Sequence, residues 1–320
     1  MIKGNLHTPF ILFRTSGTTG AAKYIAHSRV SDRRALDRGI RCLEAVYSGE
    51  VIVNAFWPAA LNGAYYFTEA ICRDLGTSYI GLGPGCIDEL KYLAGEIQNI
   101  CVATTGTNVR KYLETGMSLR KIIFSGDAPT PAALELADRR GVDVLPLAYS
   151  TTEQGPIAYF HERDKNRFHY KFFDEAEVDI DTIGSPPPLQ GELRVRLRGG
   201  TLGELISTGD IIRVVSEEDL RVFEIMGRLA DTINFQGGLL NRTQFEYQLA
   251  DFFGTAPRFQ CIYSRGARPF FRLCIAEQDF DIEELHAKLF ANYEIKFALS
   301  GSDFSIEPME ASSFFHTRGK

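Results

Sequence analysis

The chain has 320 residues, 44% of them hydrophobic and 24% charged, which excludes a disordered or fibrous protein and is long for a single core, so two domains are expected. Forty-one acidic against 35 basic side chains give a net charge of −6, which opposes nonspecific attraction to a polyphosphate backbone and argues against a nucleic acid partner. Six scattered cysteines without a CxxC pair suggest neither a disulfide framework nor a zinc site, and free thiols point to the reducing cytoplasm. From residue 9 to about 149, short apolar runs alternate with longer amphipathic ones, the signature of βα units around a mainly parallel sheet. Strands are expected at PFILFR, VIVNAF, TSYIGL, NICVATT, KIIFSG and VDVLPLAYS. A helix capped by Ser31 presents Leu36, Ile40, Leu43 and Tyr47 as one stripe. Further helices are expected at 63–74, 87–98 and 130–139, the last opened by Thr130 and Pro131. The longest uncharged stretch, 51–67, is interrupted by Asn54, Pro58, Asn62 and Gly63, so no membrane helix is expected, and the apolar run before Arg14 is too short for a signal peptide.

After Tyr149 the texture changes to short alternating strands, IAYF, RFHYKFF, GELRVRL, DIIRVV and RVFEIM, which read as antiparallel. Beyond Gly227, helices near 243–253 and 281–293 with strands FQCIYS and FRLCIA outline a small lobe. The expected fold class is therefore α/β. A larger region, 1–226, carries a mainly parallel sheet plus an antiparallel β part, and residues 227–320 form a small α+β C-terminal lobe.

The most informative segment is RTSGTTGAAKYIAHS at 14–28, a strand, a loop of glycines and hydroxyls, a lysine and a second strand. Gly17 and Gly20 allow close backbone approach to a ligand, Ser16, Thr18 and Thr19 offer donors, and Lys23 adds a positive charge, a composition suited to polyphosphate. It is not a Walker A loop, because the GxxxxGK[ST] spacing is missing, and taken alone it reads equally well as a hairpin turn. SYIGLGPG at 78–85 breaks the GxGxxG spacing, so a Rossmann-type oxidoreductase is only a remote alternative. The acids Asp179 and Asp181 of EVDIDT fall on one solvent face of a strand, and HERDKNRFH at 161–169 reads as a charged loop.

Four further segments come in the order of one family. AYSTTEQG at 148–155 is similar to the YGxTE element of the adenylate-forming acyl and aryl ligases, STGD at 207–210 to their TGD element, and GRLADTINFQGG at 227–238 to their hinge. TSGTTGAAK resembles their phosphate loop, and FHTRGK at 315–320 resembles their terminal lysine motif in the form seen in phenylacetate-CoA ligases. The resemblance implies ATP-dependent activation of a carboxylic acid to an acyl adenylate with release of pyrophosphate. Transfer to the thiol of CoA or of an acyl carrier protein, or to an amine, completes the reaction. It implies that Thr15, Ser16, Gly17, Thr18, Thr19, Gly20 and Lys23 hold phosphates, that Thr152 donates to the α-phosphate and that Glu153 holds Mg2+. Tyr149 would stack on adenine against Gly126, Asp127 and Ala128, Asp210 would accept from the ribose hydroxyls, Arg228 would reach the ribose, and Lys320 would neutralise charge in the transition state.

Departures from the pattern carry expectations too. The chain begins a few residues before the phosphate loop, so most of an N-terminal subdomain is expected to be absent. Ala230 stands where the hinge acid usually sits, which favours a silent, adenylate-binding scaffold as the alternative to an enzyme. The segment NAFWPAALNGAYYF offers Phe56, Trp57, Tyr65, Tyr66 and Phe67 as walls of a flat pocket, pointing to an aryl acid, and the absence of an acid from Val51 to Thr68 argues against an α-amino acid.

Overall fold

A computed structural model describes residues 2–4, 9–14, 23–58, 61–182, 189–200, 202–216, 218–229, 232–235, 238–254, 257–264, 270–277, 279–292, 295–296, 299 and 303–309. Strands β1 (Ile2–Gly4), β2 (Phe10–Arg14) and β3 (Tyr24–Ser28) make a three-stranded sheet of order β1-β3-β2. β2 and β3 pair antiparallel, Arg14 against Tyr24 and Phe10 against Ser28. The strand at PFILFR thus stands apart from the parallel sheet to which its apolar run assigns it, because a short connection returns the chain as an antiparallel neighbour whereas a parallel one needs a long crossover. Helix α1 (Arg29–Glu44) is capped by Ser28 instead of Ser31. Ser28 is extended, with ψ 158°, and its Oγ accepts from the Ser31 amide at 3.2 Å, while the Ser31 hydroxyl donates to the Ser28 carbonyl at 3.0 Å.

The next elements are β4 (Val51–Asn54), α2 (Gly63–Leu75), β5 (Tyr79–Gly81), α3 (Ile87–Glu96), β6 (Ile100–Thr104), α4 (Val109–Glu114), β7 (Lys121–Phe124), α5 (Pro131–Arg140) and β8 (Asp143–Pro146). Their strands form a five-stranded, wholly parallel sheet of order β5-β4-β6-β7-β8. Every residue of β6 and β7 is buried, as strands covered on both faces require. α2 starts on Asn62, whose side chain accepts from the Ala64 amide at 2.9 Å, and ends at Gly76 in the left-handed region, φ 71°. α5 starts as expected on Thr130 and Pro131. Phe56 and Tyr112 are among the largest fully buried side chains, and burying a side chain such as phenylalanine contributes roughly 1.5–3 kcal/mol.

The expected strand VDVLPLAYS divides at Pro146, which lacks an amide proton to continue the ladder. Past this break the chain builds β9 (Tyr149–Thr151), β10 (Gly155–Asp164), β11 (Arg167–Phe172), β12 (Ala176–Thr182), β13 (Gln190–Leu197), β14 (Ile206–Val214) and β15 (Val222–Arg228), a seven-stranded sheet of order β12-β13-β14-β15-β11-β10-β9. The pairs β9/β10, β10/β11 and β11/β15 are antiparallel. Along β12 the exposed Glu177 and Asp181 meet Arg196 and Arg194 at 2.6 Å, so these acids serve a solvent face. The last elements are β16 (Thr232–Phe235), β17 (Gly238–Asn241), α6 (Arg242–Phe253), β18 (Phe259–Ser264), β19 (Phe270–Ile275), α7 (Ile282–Ala291) and β20 (Asp303–Pro308). There β18 and β19 pair antiparallel and β19 and β20 parallel, over a core that includes Phe245, Phe271, Leu285 and Leu289.

Two compact units result, Met1–Asp181 with Glu192–Ile225, and Thr182–Gly191 with Met226–Lys320. The α/β class holds, with a parallel, an antiparallel and a small C-terminal sheet. All six cysteines are free. Among the described residues no helix is long and apolar enough to cross a membrane, and no three metal-ligating side chains gather.

Candidate active site

In an open parallel sheet, ligands gather outside the carboxyl ends of the strands where the strand order reverses, here between β4 and β6. The loop leaving β6 makes a single 3-10 turn, Gly106–Asn108, and the loop leaving β7 runs through Gly126, Asp127 and Ala128. The two are packed on each other: the Thr107 amide donates to Asp127 Oδ2 at 3.3 Å, and a Cβ on Gly106 would lie 2.3 Å from the Asp127 carbonyl oxygen. Gly126 adopts φ +95° and faces open space, with nothing within 4 Å of where its Cβ would stand. Gly106→Ala is therefore expected to push the 126–128 segment aside, lowering stability by about 1–3 kcal/mol. Melting curves check this, and an unchanged melting temperature would show that the segment yields freely.

Three residues past the carboxyl end of β8, Tyr149 opens β9, and Asp210 lies within β14. The Tyr149 hydroxyl donates to Asp210 Oδ2 at 2.6 Å, across 61 residues of sequence, and each residue is only 6% exposed. The Tyr149 ring is seated edge-on against Phe223 at 5.7 Å and Tyr170 at 6.2 Å. Asp210 is aimed by its neighbours: Gly209 turns at φ 71°, and Thr208 Oγ1 accepts from the Asp210 amide at 3.1 Å while donating to the Leu193 carbonyl at 2.9 Å. Both residue types are legible in AYSTTEQG and STGD, and the fold brings them into contact.

Thr152, Glu153 and Gln154 form the turn between β9 and β10. His27 Nε2 donates to the Thr152 carbonyl at 2.7 Å, and Arg38 donates to the carbonyls of Gln154 at 2.8 Å and Pro156 at 2.7 Å. His27 and Arg38 are 0% and 3% exposed. Burial holds the His27 imidazole below its ordinary range, against the opposing pull of the Thr152 carbonyl and with help from the Arg38 charge. Burial also pulls the Arg38 guanidinium down to about 10, still protonated at neutral pH. Glu153 is half-buried and makes no hydrogen bond or ion pair among the described residues.

No family model and no curated protein matches the chain. Solved structures do. An open conformation of 2-hydroxyisobutyryl-CoA ligase in complex with 2-HIB-AMP and CoA superposes with a TM-score of 0.70 at 15% identity, over 97% of this chain and 73% of that one. The amide bond synthetase McbA from Marinactinospora thermotolerans gives 0.66 at 18% identity over 97% and 68%. O-succinylbenzoate coenzyme A synthetase (MenE) from Bacillus subtilis, in complex with AMP, gives 0.67 at 16% identity over 97% and 69%. The chain has the fold of the adenylate-forming ligases.

Within the adenylate-forming ligase fold, three observations suit a magnesium nucleotide. The left-handed Gly126 leaves room for a flat base, the buried Asp210 carboxylate is suited to hydroxyl donors, and Glu153 offers a hard oxygen ligand of the kind that takes Mg2+ together with phosphates. Lys23 is exposed immediately before β3. Thr15, Ser16, Gly17, Thr18, Thr19 and Gly20 lie outside the described residues, as do Ala230 and Lys320. Arg228 closes β15 and is exposed, in the second unit.

The aromatic segment divides. Phe56 is 1% exposed in the core, Tyr66 and Phe67 are half-buried, the first donating to Asp32 at 3.0 Å and the second stacked on Phe13 at 5.4 Å, while Trp57 is 56% exposed. Gly106, His27 and Arg38 are not legible as site residues in the sequence. The available signals are a glycine two residues after a largely apolar strand and a histidine and an arginine on otherwise apolar faces.

Proposed function

We propose that this chain activates a carboxylic acid with magnesium ATP. A carboxylate oxygen of the acid attacks the α-phosphorus in line, the bond from that phosphorus to the bridging oxygen breaks, and pyrophosphate leaves with the electron pair, so that an acyl adenylate remains. The acyl carbon then passes to a thiol of CoA or of a carrier protein, or to an amine, and AMP departs. Ligases of this fold that were captured with adenylates, CoA or AMP support the reading. The observation in this chain that supports it is the buried Tyr149–Asp210 contact, which ties a carboxylate to the chain just after the carboxyl end of β8.

In this reading Asp210 accepts from the ribose hydroxyls while Tyr149 fixes its rotamer and borders adenine with Gly126, Asp127 and Ala128. Thr152 donates to the α-phosphate, Glu153 holds magnesium, Arg228 reaches the ribose, and the hydroxyls and amides of Thr15 to Gly20 with Lys23 gather the outer phosphates. Bound magnesium supplies charge neutralisation at the phosphates. No protein nucleophile is needed, since catalysis rests on positioning and electrostatics. The substrate class is an aryl acid, supported by the exposed Trp57 at the carboxyl end of β4 and by the absence of an acid from Val51 to Thr68 that could pair with an α-amino group. The terminal FHTRGK favours the phenylacetate-CoA ligase-like branch.

The test is exchange of labelled pyrophosphate into ATP across a panel of aryl, fatty and amino acids. Exchange that needs an added aryl acid is expected, and no exchange with any acid would overturn the proposal in favour of a binding scaffold. On the same material Asp210→Ala is expected to weaken AMP by about 10- to 100-fold, the loss of charge-assisted hydrogen bonds. Unchanged AMP binding by calorimetry would leave the TGD tripeptide as a turn and nothing more.

A further inference from the structure

A carboxylate on a turn ordinarily wanders, because loops carry few buried contacts. The turn that bears Glu153 is held from three sides. From β3, His27 donates to the Thr152 carbonyl at 2.7 Å, and from α1, Arg38 donates to the carbonyls of Gln154 and Pro156. From the segment after β13, the Leu202 carbonyl accepts from Gln154 Nε2 at 3.2 Å. Gly155, at φ +71°, lets the chain close on α1, since a Cβ there would stand 2.8 Å from the Cβ of Ala35. His27 and Arg38 are both buried, at 116 to 125 residues from their acceptors in sequence. Burying a guanidinium is costly unless its donors are met, and Arg38 forms no ion pair within 4.0 Å among the described residues. Among those residues its hydrogen bonds go to carbonyls of this one turn and the strand it opens. Such an arrangement serves the placement of the backbone. It also joins the Glu153 turn to β3, the strand entered from the glycine-rich segment 15–22.

We infer that His27 and Arg38 are positioning residues that lock the Thr152–Gln154 turn to β3 and α1, so that Glu153 meets a magnesium nucleotide without reorganising. What Glu153 meets rests on the adenylation reading; the tether does not. Pre-fixing the carboxylate removes the ordering cost from nucleotide binding, and the part of the gain that runs through Glu153 appears in the magnesium-dependent affinity.

The experiment uses the full chain with His27→Leu, which removes the donor, and His27→Gln, whose amide nitrogen replaces Nε2 as donor. Backbone hydrogen exchange is monitored at residues 152–155, and calorimetry compares ATP with magnesium against ATP in chelator, with adenosine in chelator as control. His27→Leu is expected to speed exchange of the turn amides about tenfold with the parallel sheet unchanged, and to cut the magnesium-dependent gain in ATP affinity about tenfold while adenosine binding stays within about twofold. His27→Gln is expected to restore both. Should His27→Leu fail to fold, Arg38→Lys, which keeps the charge but gives up one of two carbonyl bonds, is read in the same way. Unchanged exchange at the turn, or faster exchange everywhere without rescue by glutamine, would overturn the inference, as would faster turn exchange with an undiminished magnesium gain. A wild-type chain that binds no magnesium ATP and exchanges no pyrophosphate would instead sink the adenylation reading, and the turn amides would still decide the tether.

Discussion

Lys320→Ala is expected to lower acid-dependent pyrophosphate exchange by about two to three orders of magnitude while leaving ATP affinity nearly intact. The physical reason lies in when the lysine acts. In the proposed reaction, negative charge grows on the oxygens around the α-phosphorus as the carboxylate approaches and pyrophosphate departs. An ammonium that meets this charge only as it develops stabilises the transition state and contributes little to the ground state. The loss should therefore fall on kcat and kcat/KM together, with the KM for ATP moving little. Lys320→Arg keeps the charge but spreads it over a planar fork, so only partial recovery is expected. Full activity in the alanine variant would remove Lys320 from the mechanism, and a parallel loss of ATP affinity would make it a binding residue.

Lys121→Met is expected to destabilise the first unit by about 3–5 kcal/mol, a larger loss than most core truncations produce. Lys121 opens the fully buried strand β7, and its Nζ lies 2.7 Å from Glu50 Oε1, with the two side chains only 5% and 1% exposed. The ammonium also donates to the Val46 carbonyl and to Ser48 Oγ, and Glu50 Oε2 accepts from the Ser48 amide at 2.7 Å. Burial acts to raise the Glu50 carboxyl, but the hydrogen bonds from Lys121 and the Ser48 amide outweigh it and hold the group below its usual 4.5. A carboxyl depressed in the fold contributes stability that is present above pH 4.5 and is lost as the pH falls through the folded value. The single variant leaves a buried carboxylate with Arg120, at 3.6 Å, as its remaining ion-pair partner, so its deficit should be largest at neutral pH and should shrink as the pH falls and Glu50 takes up a proton. Lys121→Met with Glu50→Leu should recover much of the loss, since an apolar pair has no charge to desolvate. Chemical denaturation at pH 7 and pH 4 checks all three statements, and a single variant as stable as the parent would show the pair to be dispensable.

The parallel sheet is legible because strands covered on both faces read as nearly continuous apolar runs, and VIVN, ICVAT and KIIF do so apart from Asn54, Thr104 and Lys121 at their ends. PFILFR reads the same way locally, and its place elsewhere is set by the return of the chain at Tyr24, a property of the connection. Ser28 and Ser31 are chemically equal as caps, and the choice between them is made by the extended backbone at Ser28. The candidate site divides in the same way. Residues that would touch a ligand, such as Glu153 and Asp210, stand in segments whose residue types the chemistry itself demands. Residues that hold those segments in place do so through contacts with no local signature: His27 and Thr152 are 125 positions apart, and the need for glycine at 106 comes from the carbonyl of Asp127. The aromatic segment misleads in part because an aromatic run looks the same whether it lines a cleft or fills a core.

The sole tryptophan, Trp57, is 56% exposed just past the carboxyl end of β4. Excitation near the red edge of protein absorbance, where tyrosine is silent, therefore yields emission from one place in the molecule. A half-hydrated indole changes little when the chain unfolds, so this emission is a poor gauge of global stability, for which far-ultraviolet dichroism is the better choice. The same property makes it a quiet background against which a flat acid arriving at the β4 loop would register as quenching or a blue shift, with no label attached.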